Sequence, residues 1–186
     1  MAEGPGSPIL AALYGRQRDE AARLAEGASL TIWEAAALGR DARVSELVRT
    51  DPALVNAWSP DGWTPLALAA FFAPASTVRV LLDTGGDVSA AARNTMKVQP
   101  LHAAVAARNV EAVKLLLERG ADPNARQQVG YTPLMGAAGS GIDALVSVLL
   151  ARGADPSPVN EEGKTAASIA LEHGHPAIAE RLKFEG

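Results

Sequence analysis

The sequence contains no cysteine, and this absence excludes several kinds of chemistry. Disulfide bonds, cysteine-ligated zinc and thiol catalysis all require a sulfhydryl group. Aromatic residues make up only 4% of the 186 residues, whereas 48% are hydrophobic, so any core must be built mainly from Ala, Leu and Val. Small aliphatic side chains of this kind favour closely packed helices over a β-sandwich.

Clusters of basic residues and long apolar runs are also missing. The formal net charge is −4 and no run of Lys or Arg stands out, so we expect no nucleic-acid partner. No apolar run approaches the length that spans a bilayer, so no membrane partner is expected. The first residues, MAEGPGSP, carry neither the basic nor the apolar segment of a secretory signal. These features predict a cytoplasmic protein.

The sequence does contain an internal repeat of about 33 residues. A Thr-Pro-Leu motif or a variant of it recurs, and its second position falls at Pro65, Pro100, Pro133 and Ala166. Leucine pairs, each followed by a Gly-containing turn, keep the same period at Leu81-Leu82, Leu116-Leu117 and Leu149-Leu150. Independent features that share one period indicate a stack of repeated structural units.

Residues around each motif predict paired helices. Thr64 and Thr132 stand where a hydroxyl caps a helix start, and each precedes a proline, which suits the first helical position. Gly120 and Gly153 follow Leu-rich segments, where a helix ends in a left-handed residue. The predicted pairs are 31–38 with 42–49, 65–72 with 75–82, 100–107 with 110–118, 133–140 with 143–151, and 166–173 with 176–183.

These motifs resemble the ankyrin repeat, whose pattern is nearly complete in Pro100–Ala125 and Gly130–Pro158. The resemblance covers roughly residues 30–184 and is closest to compact bacterial ankyrin proteins. It implies an all-α solenoid of stacked helix–turn–helix units with β-hairpin-like finger loops. The predicted organisation is a disordered N-terminus at 1–7, an N-terminal helical cap at 8–29, and repeats at about 30–60, 61–97, 98–128, 129–161 and 162–186.

Residues that carry catalytic or metal chemistry are few and scattered. His102 stands in the repeat motif, where the resemblance implies that its ring bonds to the backbone of a turn. His173 and His175 lie two repeats further on, so three ligands do not converge as catalytic zinc requires. There is no nucleophile motif, and the Gly-rich GAAGSG lacks the Lys of a phosphate-binding loop. We therefore predict no catalytic residues, no metal, no cofactor and no enzymatic activity.

The first helices of the pairs are predicted to form the floor of a binding groove. Residues four apart share a helix face. The chosen face carries bulky side chains on the helix at 65–72 and small ones on the helices at 100–107 and 133–140. Phe71 is predicted to pack against the second helix of its own pair instead. The predicted floor residues are Leu68, Phe72, Ala103, Ala107, Gly136 and Ser140.

The finger loops supply the other predicted contacts, because Trp, Tyr, Met and Arg are enriched at protein interfaces. Trp33 is predicted to be core. The finger AARNTMKVQ is two residues longer than its neighbours and carries Met96 and Lys97 at its tip. The predicted finger contacts are Trp58, Trp63, Asn94, Met96, Lys97, Arg126, Gln128, Tyr131 and Lys164.

The function predicted from this pattern is that of a monomeric interaction module, which binds a partner protein through the concave groove and the fingers. An alternative is a regulatory or inhibitory subunit of one intracellular enzyme, such as a stress or detoxification enzyme. A third possibility, a small-molecule or metal-dependent enzyme, has no motif in its favour. Fold alone does not identify the partner.

Overall fold

The computed structural model describes residues 6–184, and in this part of the chain all regular structure is helical, without a β-strand. Five consecutive pairs of antiparallel helices stack side by side, so the predicted all-α solenoid is confirmed. Short 3-10 helices at Pro52–Asn56 and Gln128–Gly130 lie in the connections. The α-helices are α1 Pro8–Tyr14, α2 Arg18–Leu24, α3 Ile32–Ala37, α4 Asp41–Thr50, α5 Pro65–Phe72, α6 Ala75–Asp83, α7 Pro100–Ala106, α8 Val110–Glu118, α9 Pro133–Ser140, α10 Asp143–Ala151, α11 Ala166–Glu172 and α12 Pro176–Phe184.

Threonine side chains start most of the inner helices, which are the first helices of the five stacked pairs. The hydroxyl of Thr64 accepts a hydrogen bond from the N–H of Ala67 at 3.2 Å, and that of Thr132 accepts one from Met135 at 3.3 Å. Thr31 and Thr165 cap α3 and α11 in the same way. Each bond satisfies a donor that the helix itself leaves unpaired.

Helix α7 is the exception, because Gln99 occupies its N-cap without a side-chain hydrogen bond. The Gln99→Thr variant is expected to be more stable by about 1 kcal/mol, since the extended backbone of Gln99 already suits a capping threonine. Urea denaturation followed by circular dichroism measures this gain. Gln99→Ala serves as the control and is expected to change stability little. Equal stability of the two variants would contradict this account of the cap.

The core runs through the stack as rows of identical repeat positions. Leu66, Leu101 and Leu134 on the inner helices are at most 1% exposed. A second row on the outer helices, Leu81, Leu116 and Leu149, is fully buried. Each buried leucine contributes about 1.5–3 kcal/mol relative to an exposed one. The hydrophobic contact between neighbouring pairs therefore holds the solenoid together.

Asparagine side chains connect two of the joints between neighbouring repeats. Asn56 donates to the carbonyl of Gly85 at 3.0 Å and accepts from the N–H of Asp87 at 2.8 Å. Asn124 makes the same pair of bonds to Gly153 and Asp155, at 2.9 and 2.8 Å. The equivalent position between them is Ser89, whose hydroxyl bonds locally to Asp87 at 2.6 Å. The joint that follows Ser89 is therefore built without an asparagine bridge.

The finger loops are hydrogen-bonded in series. Arg93 donates its N–H to the carbonyl of Gly62 at 2.8 Å, and Gln128 donates to that of Met96 at 3.1 Å. A further bond runs from Glu161 to Val129 at 2.9 Å. Each of these finger loops is thus hydrogen-bonded to the next one along the stack.

The N-terminal helices α1 and α2 form an apolar cluster against the inner side of the first two stacked pairs. Ile9, Leu10 and Leu13 pack there with Ala37 of α3 and Leu68 of α5. Tyr14 donates its hydroxyl to the carboxylate of Asp61 at 2.6 Å. The helix pair at 8–24 therefore covers part of the concave face as well as the end of the stack.

Ser7 lies within the segment predicted to be disordered, but it has two defined bonds. Its hydroxyl donates to Glu34 at 2.6 Å and accepts from the N–H of Leu10 at 3.2 Å. Burial raises the pKa of Glu34, yet the bonds from Ser7 and Thr31 outweigh it and hold that pKa below its usual range. Residues 1–5 of the predicted disordered segment lie outside the described residues.

Candidate functional site

A groove of about 380 Å³ lies on the concave face between α1, α5, α7 and the fingers. Its walls are almost entirely apolar. Tyr14 closes one side, Trp63 and Met96 project from fingers, and Phe71 and Phe72 stand at the end of α5. Ala67, Leu68, Val98, Ala103 and Ala106 complete the apolar lining, and His102 and Gln127 are its polar members.

Phe71 was predicted to pack against the second helix of its pair, and this prediction is wrong. Its side chain is 44% exposed and lines the groove. It meets the ring of Phe72 edge-on, with the ring centroids 4.8 Å apart. The reason is that Ala73 and Pro74 end α5 directly after Phe72, so both rings stand at the open end of the helix.

The floor of the groove is displaced by one residue from the predicted helix face. Ala106, rather than Ala107, lines it together with Ala103. Ala107 is the C-cap of α7 and borders a separate shallow depression with Arg108. The prediction that Ala107 forms the floor is therefore wrong, because the groove follows the three-residue step from Ala103 to Ala106 and not the four-residue step to Ala107.

Leu68, Ala103 and Phe72 reach the groove but are largely occupied by contacts within the chain. Leu68 and Ala103 are both 2% exposed. Phe72 is half-buried, with its ring centroid 5.7 Å from that of Tyr14. These residues support the shape of the groove, whereas Phe71 and Met96 present its accessible surface.

Gly136 and Ser140 were predicted to continue the groove as a shallow trough, but neither lines it. A β-carbon at Gly136 would lie 3.1 Å from the side chain of Val105, so the space beside this glycine is already filled by α7. Ser140 donates its hydroxyl to the carbonyl of Ala137 at 2.7 Å. The small residues of α9 therefore allow close helix packing and do not open a trough.

Two of the predicted finger contacts have structural partners. The guanidinium of Arg93 lies 3.5 Å from the ring centroid of Trp58, whose indole N–H donates to the carbonyl of Ala91 at 3.4 Å. Asn94 donates to the carbonyl of Asp61 and accepts from the N–H of Met96 at 3.1 Å. Both residues lie outside the groove and brace the finger that carries Met96.

The remaining predicted contacts lie beyond the groove, on the fingers around it. Arg126 donates to the carbonyl of Val159 at 2.7 Å. Tyr131 is half-buried, and burial followed by the charge of Glu162 raises its pKa. Lys97 and Gln128 are exposed.

Lys164 is held in an exposed ion-pair cluster. Its ammonium lies 2.8 Å from Glu172 and 3.3 Å from Glu162, and these partners raise its pKa.

Of the predicted finger residues, the structure brings Trp63 and Met96 into the groove. Lys164 lies on another part of the finger surface.

His102 is a structural residue that also borders the groove. Its Nε2 lies 3.1 Å from the carbonyl oxygen of Ala125, as the resemblance implied, so the ring donates its N–H there. Its Nδ1 and the Oε1 of Gln127 are buried side-chain atoms without a hydrogen-bond partner among the described residues. Burial lowers the pKa of His102, while the carbonyls of Tyr131 and Ala125 oppose that shift.

This lowered pKa predicts a loss of stability on acidification. Above the unfolded-state pKa of about 6.5 the ring is neutral in both states. Below it the unfolded chain binds a proton that folded His102 resists, so the melting temperature is expected to fall between about pH 6.5 and 5. The His102→Gln variant, measured by thermal denaturation over the same range, should lose this part of the dependence. Parallel curves for the two proteins would contradict the assignment.

Several lining residues were missed at the level of sequence. Tyr14 lies in the N-terminal helix pair, which has no repeat partner to align it with the groove. Val98 and Gln127 lie on finger loops whose other residues were predicted as contacts. Val98 follows Met96 and Lys97, and Gln127 lies between Arg126 and Gln128. The alignment of repeats would have found Ala106, which is equivalent to the exposed Phe71.

Within the described part of the chain we searched for a metal site and for a membrane-spanning helix. Among residues 6–184, no three side chains of His, Asp or Glu come together to hold a metal ion. None of the helices in this part of the chain is both long and apolar enough to cross a membrane.

Comparison with known proteins defines the class. The family model for ankyrin repeats in three copies matches residues 32–127, and the single ankyrin repeat model matches residues 129–161. The chain therefore belongs to the ankyrin repeat family, which confirms the resemblance. Ankyrin repeats are generally protein–protein interaction modules and are typically non-enzymatic.

Individual relatives match only part of this chain. The protein called ankyrin repeat, SAM and basic leucine zipper domain-containing protein 1 from Saimiri boliviensis boliviensis is 39% identical over 100 residues, which is 53% of this chain and 21% of that protein. The protein of the same name from Mus musculus is 44% identical over 85 residues, 43% of this chain and 17% of its own length. The similarity thus spans about a fifth of the relatives' length.

Proposed function

We propose that this chain binds a partner protein through the concave groove and the fingers that border it. The observation that carries the proposal is the groove itself, where Phe71 and Met96 are each 44% exposed beside Trp63 and Tyr14. Contiguous exposed apolar surface on a folded protein is typical of interaction sites. Aromatic residues and Met are also the types that dominate binding energy at interfaces.

The electrostatics of the concave face support the same proposal. Helices α5, α7 and α9 carry no Asp, Glu, Lys or Arg. Removing charged groups from water is a major cost of association. A partner that covers these three helices does not incur that cost on them. Charged side chains stand on the fingers and helix ends around the groove, as in the polar rim of a protein interface.

Quantitative affinity capture from a native lysate tests the proposal. The groove variant carries Phe71→Ala with Met96→Ala, and the control carries Leu171→Ala with Val159→Ala, which are similarly exposed apolar residues elsewhere. We expect the groove variant to lose about tenfold or more of the partner captured, as measured by mass spectrometry. Retention by the groove variant, or an equal loss in the control, would refute the proposal.

The same partner decides between passive binding and regulation. If the captured protein is an enzyme, its rate is measured with the wild-type chain and with the groove variant. A change in the enzyme's rate that only the wild-type chain produces would establish the regulatory role. An unchanged rate would indicate that the chain binds the enzyme only as a scaffold.

A monomer is proposed for the chain alone. Sedimentation equilibrium should return a mass near 19.2 kDa. A mass near twice that value would contradict the proposal, and Phe71 would then be the first residue to test as a self-contact.

A further inference from the structure

The N-terminal helix pair, α1 with α2, has an apolar cluster of its own. Ile9, Leu10 and Leu13 are buried in this cluster, and Ala37 and Leu68 are the residues of the stacked pairs that are buried with them. None of these five residues belongs to the cluster of buried side chains that runs through the five stacked pairs. Release of the N-terminal pair therefore leaves the core of the stack closed, as local unfolding of one cooperative unit does.

Few polar contacts hold the N-terminal pair on the stack. In the described part of the chain, three side-chain hydrogen bonds cross this boundary, and no ion pair does. Tyr14 donates to Asp61 at 2.6 Å and Arg18 donates to the carbonyl of Phe72 at 3.3 Å, both at the exposed surface. The third bond is the one from Ser7 to α3. Exposed hydrogen bonds replace bonds to water and add little net stability, so the apolar contact of α1 is the main attachment.

The N-terminal pair has little stability of its own. Its two helices have 7 residues each, whereas isolated helices shorter than about 12–15 residues are marginal in water. Helix α2 packs chiefly against α1. The connection to α3 adds little packing, because residues 26–29 are all exposed and a β-carbon at Gly27 would meet nothing within 4 Å. The pair therefore stays folded only while α1 contacts the stack.

The face of the stack that α1 covers continues the candidate groove. This covered face consists of side chains of the first two stacked pairs that pack in the N-terminal cluster, namely Trp33, Ala37, Leu38, Trp63, Leu68 and Phe72. Trp63, Leu68 and Phe72 also line the groove, and Tyr14 of α1 stands at the boundary. Release of α1 would therefore extend the groove from α5 towards α3. Contiguous exposed apolar surface of this kind is typical of interaction sites.

Helix α1 shows which kind of group the covered face accepts. Ile9, Leu10 and Leu13 lie on the buried side of this helix, whereas Ala11 is exposed on the other side. An apolar helix face laid into an apolar groove is a recurrent mode of recognition between proteins. A partner helix with apolar residues at the same spacing would make the same contacts. Because α1 ends at Tyr14, which is a wall of the groove, one partner segment can contact both surfaces.

We propose that the N-terminal pair is an autoinhibitory lid, which occupies the covered face until an apolar helix of the partner protein displaces it. Three observations carry this inference: the separate apolar cluster, the small number of polar links, and the continuity of the covered face with the groove. In the free chain the lid keeps the covered face away from water, and in the complex the partner buries it together with the groove. The inference rests on the proposed function and adds a competition between the lid and the partner.

The absence of native cysteine allows a direct test of lid opening. Ala37→Cys places the only thiol of the chain beneath α1, and the control Ala36→Cys places it one residue away in the core of the stack. Both alanines are at most 2% exposed. Under native conditions iodoacetamide should label the Ala37→Cys variant about 100-fold faster than the control, because local opening is more frequent than global unfolding. Equal labelling rates, measured by mass spectrometry, would overturn the proposal.

Binding of the lid as a separate peptide tests the covered face as a binding surface. The probe is a labelled synthetic peptide of residues 7–26, and fluorescence polarisation measures its affinity for the full chain. The lid variant, Ile9→Ala with Leu13→Ala, weakens the lid but leaves the covered face and the groove lining unchanged. It should bind the probe about tenfold more tightly than the wild type, because its covered face is free for a larger fraction of the time. The control, Ile178→Ala with Leu182→Ala, truncates two buried residues of α12 and should bind the probe like the wild type.

Three results of these measurements would overturn the proposal. The first is failure of the lid variant to bind the probe, and the second is an equal gain in the control. The third is a dimer of the lid variant in sedimentation equilibrium, since a second copy would then fill the covered face. The thiol-labelling test uses a chain with an intact lid, so it decides whether the lid opens even if the lid variant does not fold.

Partner capture separates this proposal from the function on which it rests. The lid variant should capture about threefold more partner than the wild type, because the partner no longer competes with a stable lid. If Phe71→Ala with Met96→Ala abolishes capture but the lid variant captures no more than the wild type, the protein-binding function stands and the competition is wrong. If Phe71→Ala with Met96→Ala leaves capture normal, the proposed function itself is wrong.

Discussion

Replacement of Leu101 by alanine is expected to lower the free energy of unfolding by about 2–5 kcal/mol. Leu101 is fully buried in α7, and the equivalent residues of the neighbouring inner helices, Leu66 and Leu134, are buried in the same row. Removal of the side chain loses its transfer free energy and leaves a cavity that the surrounding helices fill only in part. Because each repeat is stabilised by contact with its neighbours, the loss affects two joints at once.

Chemical denaturation of the wild type and the variant measures this effect. Leu171→Ala provides the control, because Leu171 also lies on an inner helix but is 49% exposed, and it should cost well under about 1 kcal/mol. A similar cost for the two substitutions would show that the row of leucines does not carry the stability assigned to it.

Gly62→Ala is expected to cost about 3 kcal/mol, from a strained backbone and from a steric clash. Gly62 has a φ of +84°, which L-residues with a side chain rarely adopt. A β-carbon here would lie 2.9 Å from the carbonyl carbon and oxygen of Arg93, which are backbone atoms and cannot rotate away. The carbonyl of Gly62 also accepts the finger bond from Arg93, so the substitution should loosen the finger beside Trp63.

Gly120→Ala separates the two causes. Gly120 has a φ of +88°, but a β-carbon there would meet nothing within 4 Å. Its substitution should therefore cost only the backbone strain, about 1–2 kcal/mol. Thermal denaturation of both variants is the measurement, and equal losses of stability would mean that the contact with Arg93 contributes nothing.

Much of the fold could be predicted because every repeat presents the same local signals. The threonine before α5 and α9, the proline after it and the glycine beyond α8 and α10 all act within a few residues, so their effects can be read without tertiary information. The five predicted helix pairs accordingly agree with the structure to within one residue at every end.

The position of the N-terminal helices could not be predicted in the same way. Repetition indicates that one unit stacks on the next, but α1 and α2 have no counterpart further along the chain. Their place depends on long-range contacts, such as the bond from Tyr14 to Asp61 and the packing of Leu13 near Leu68. The candidate groove was therefore predicted with its floor and fingers but without the wall that Tyr14 supplies.

The errors within the site have a related cause. The helix face was chosen by four-residue spacing alone, although residues three apart also share a face of a helix. The groove follows the three-residue steps from Leu68 to Phe71 and from Ala103 to Ala106, so Ala107 does not line it. At Gly136, the side chain of Val105 on the adjacent helix filled the space that a small residue appeared to leave open.

The missing asparagine bridge at Ser89 has a mechanical consequence for the groove. The joint after Ser89 joins the pair α5–α6 to the pair α7–α8, and the groove lies across that same joint. Other bonds still cross this joint, because Asn109 donates to the carbonyl of Ala73 at 3.4 Å and the side chains of Arg119 and Asp83 form an exposed ion pair. A partner bound between Phe71 and Ala106 would touch both helix pairs at once and would add contacts across a joint that lacks its asparagine bridge.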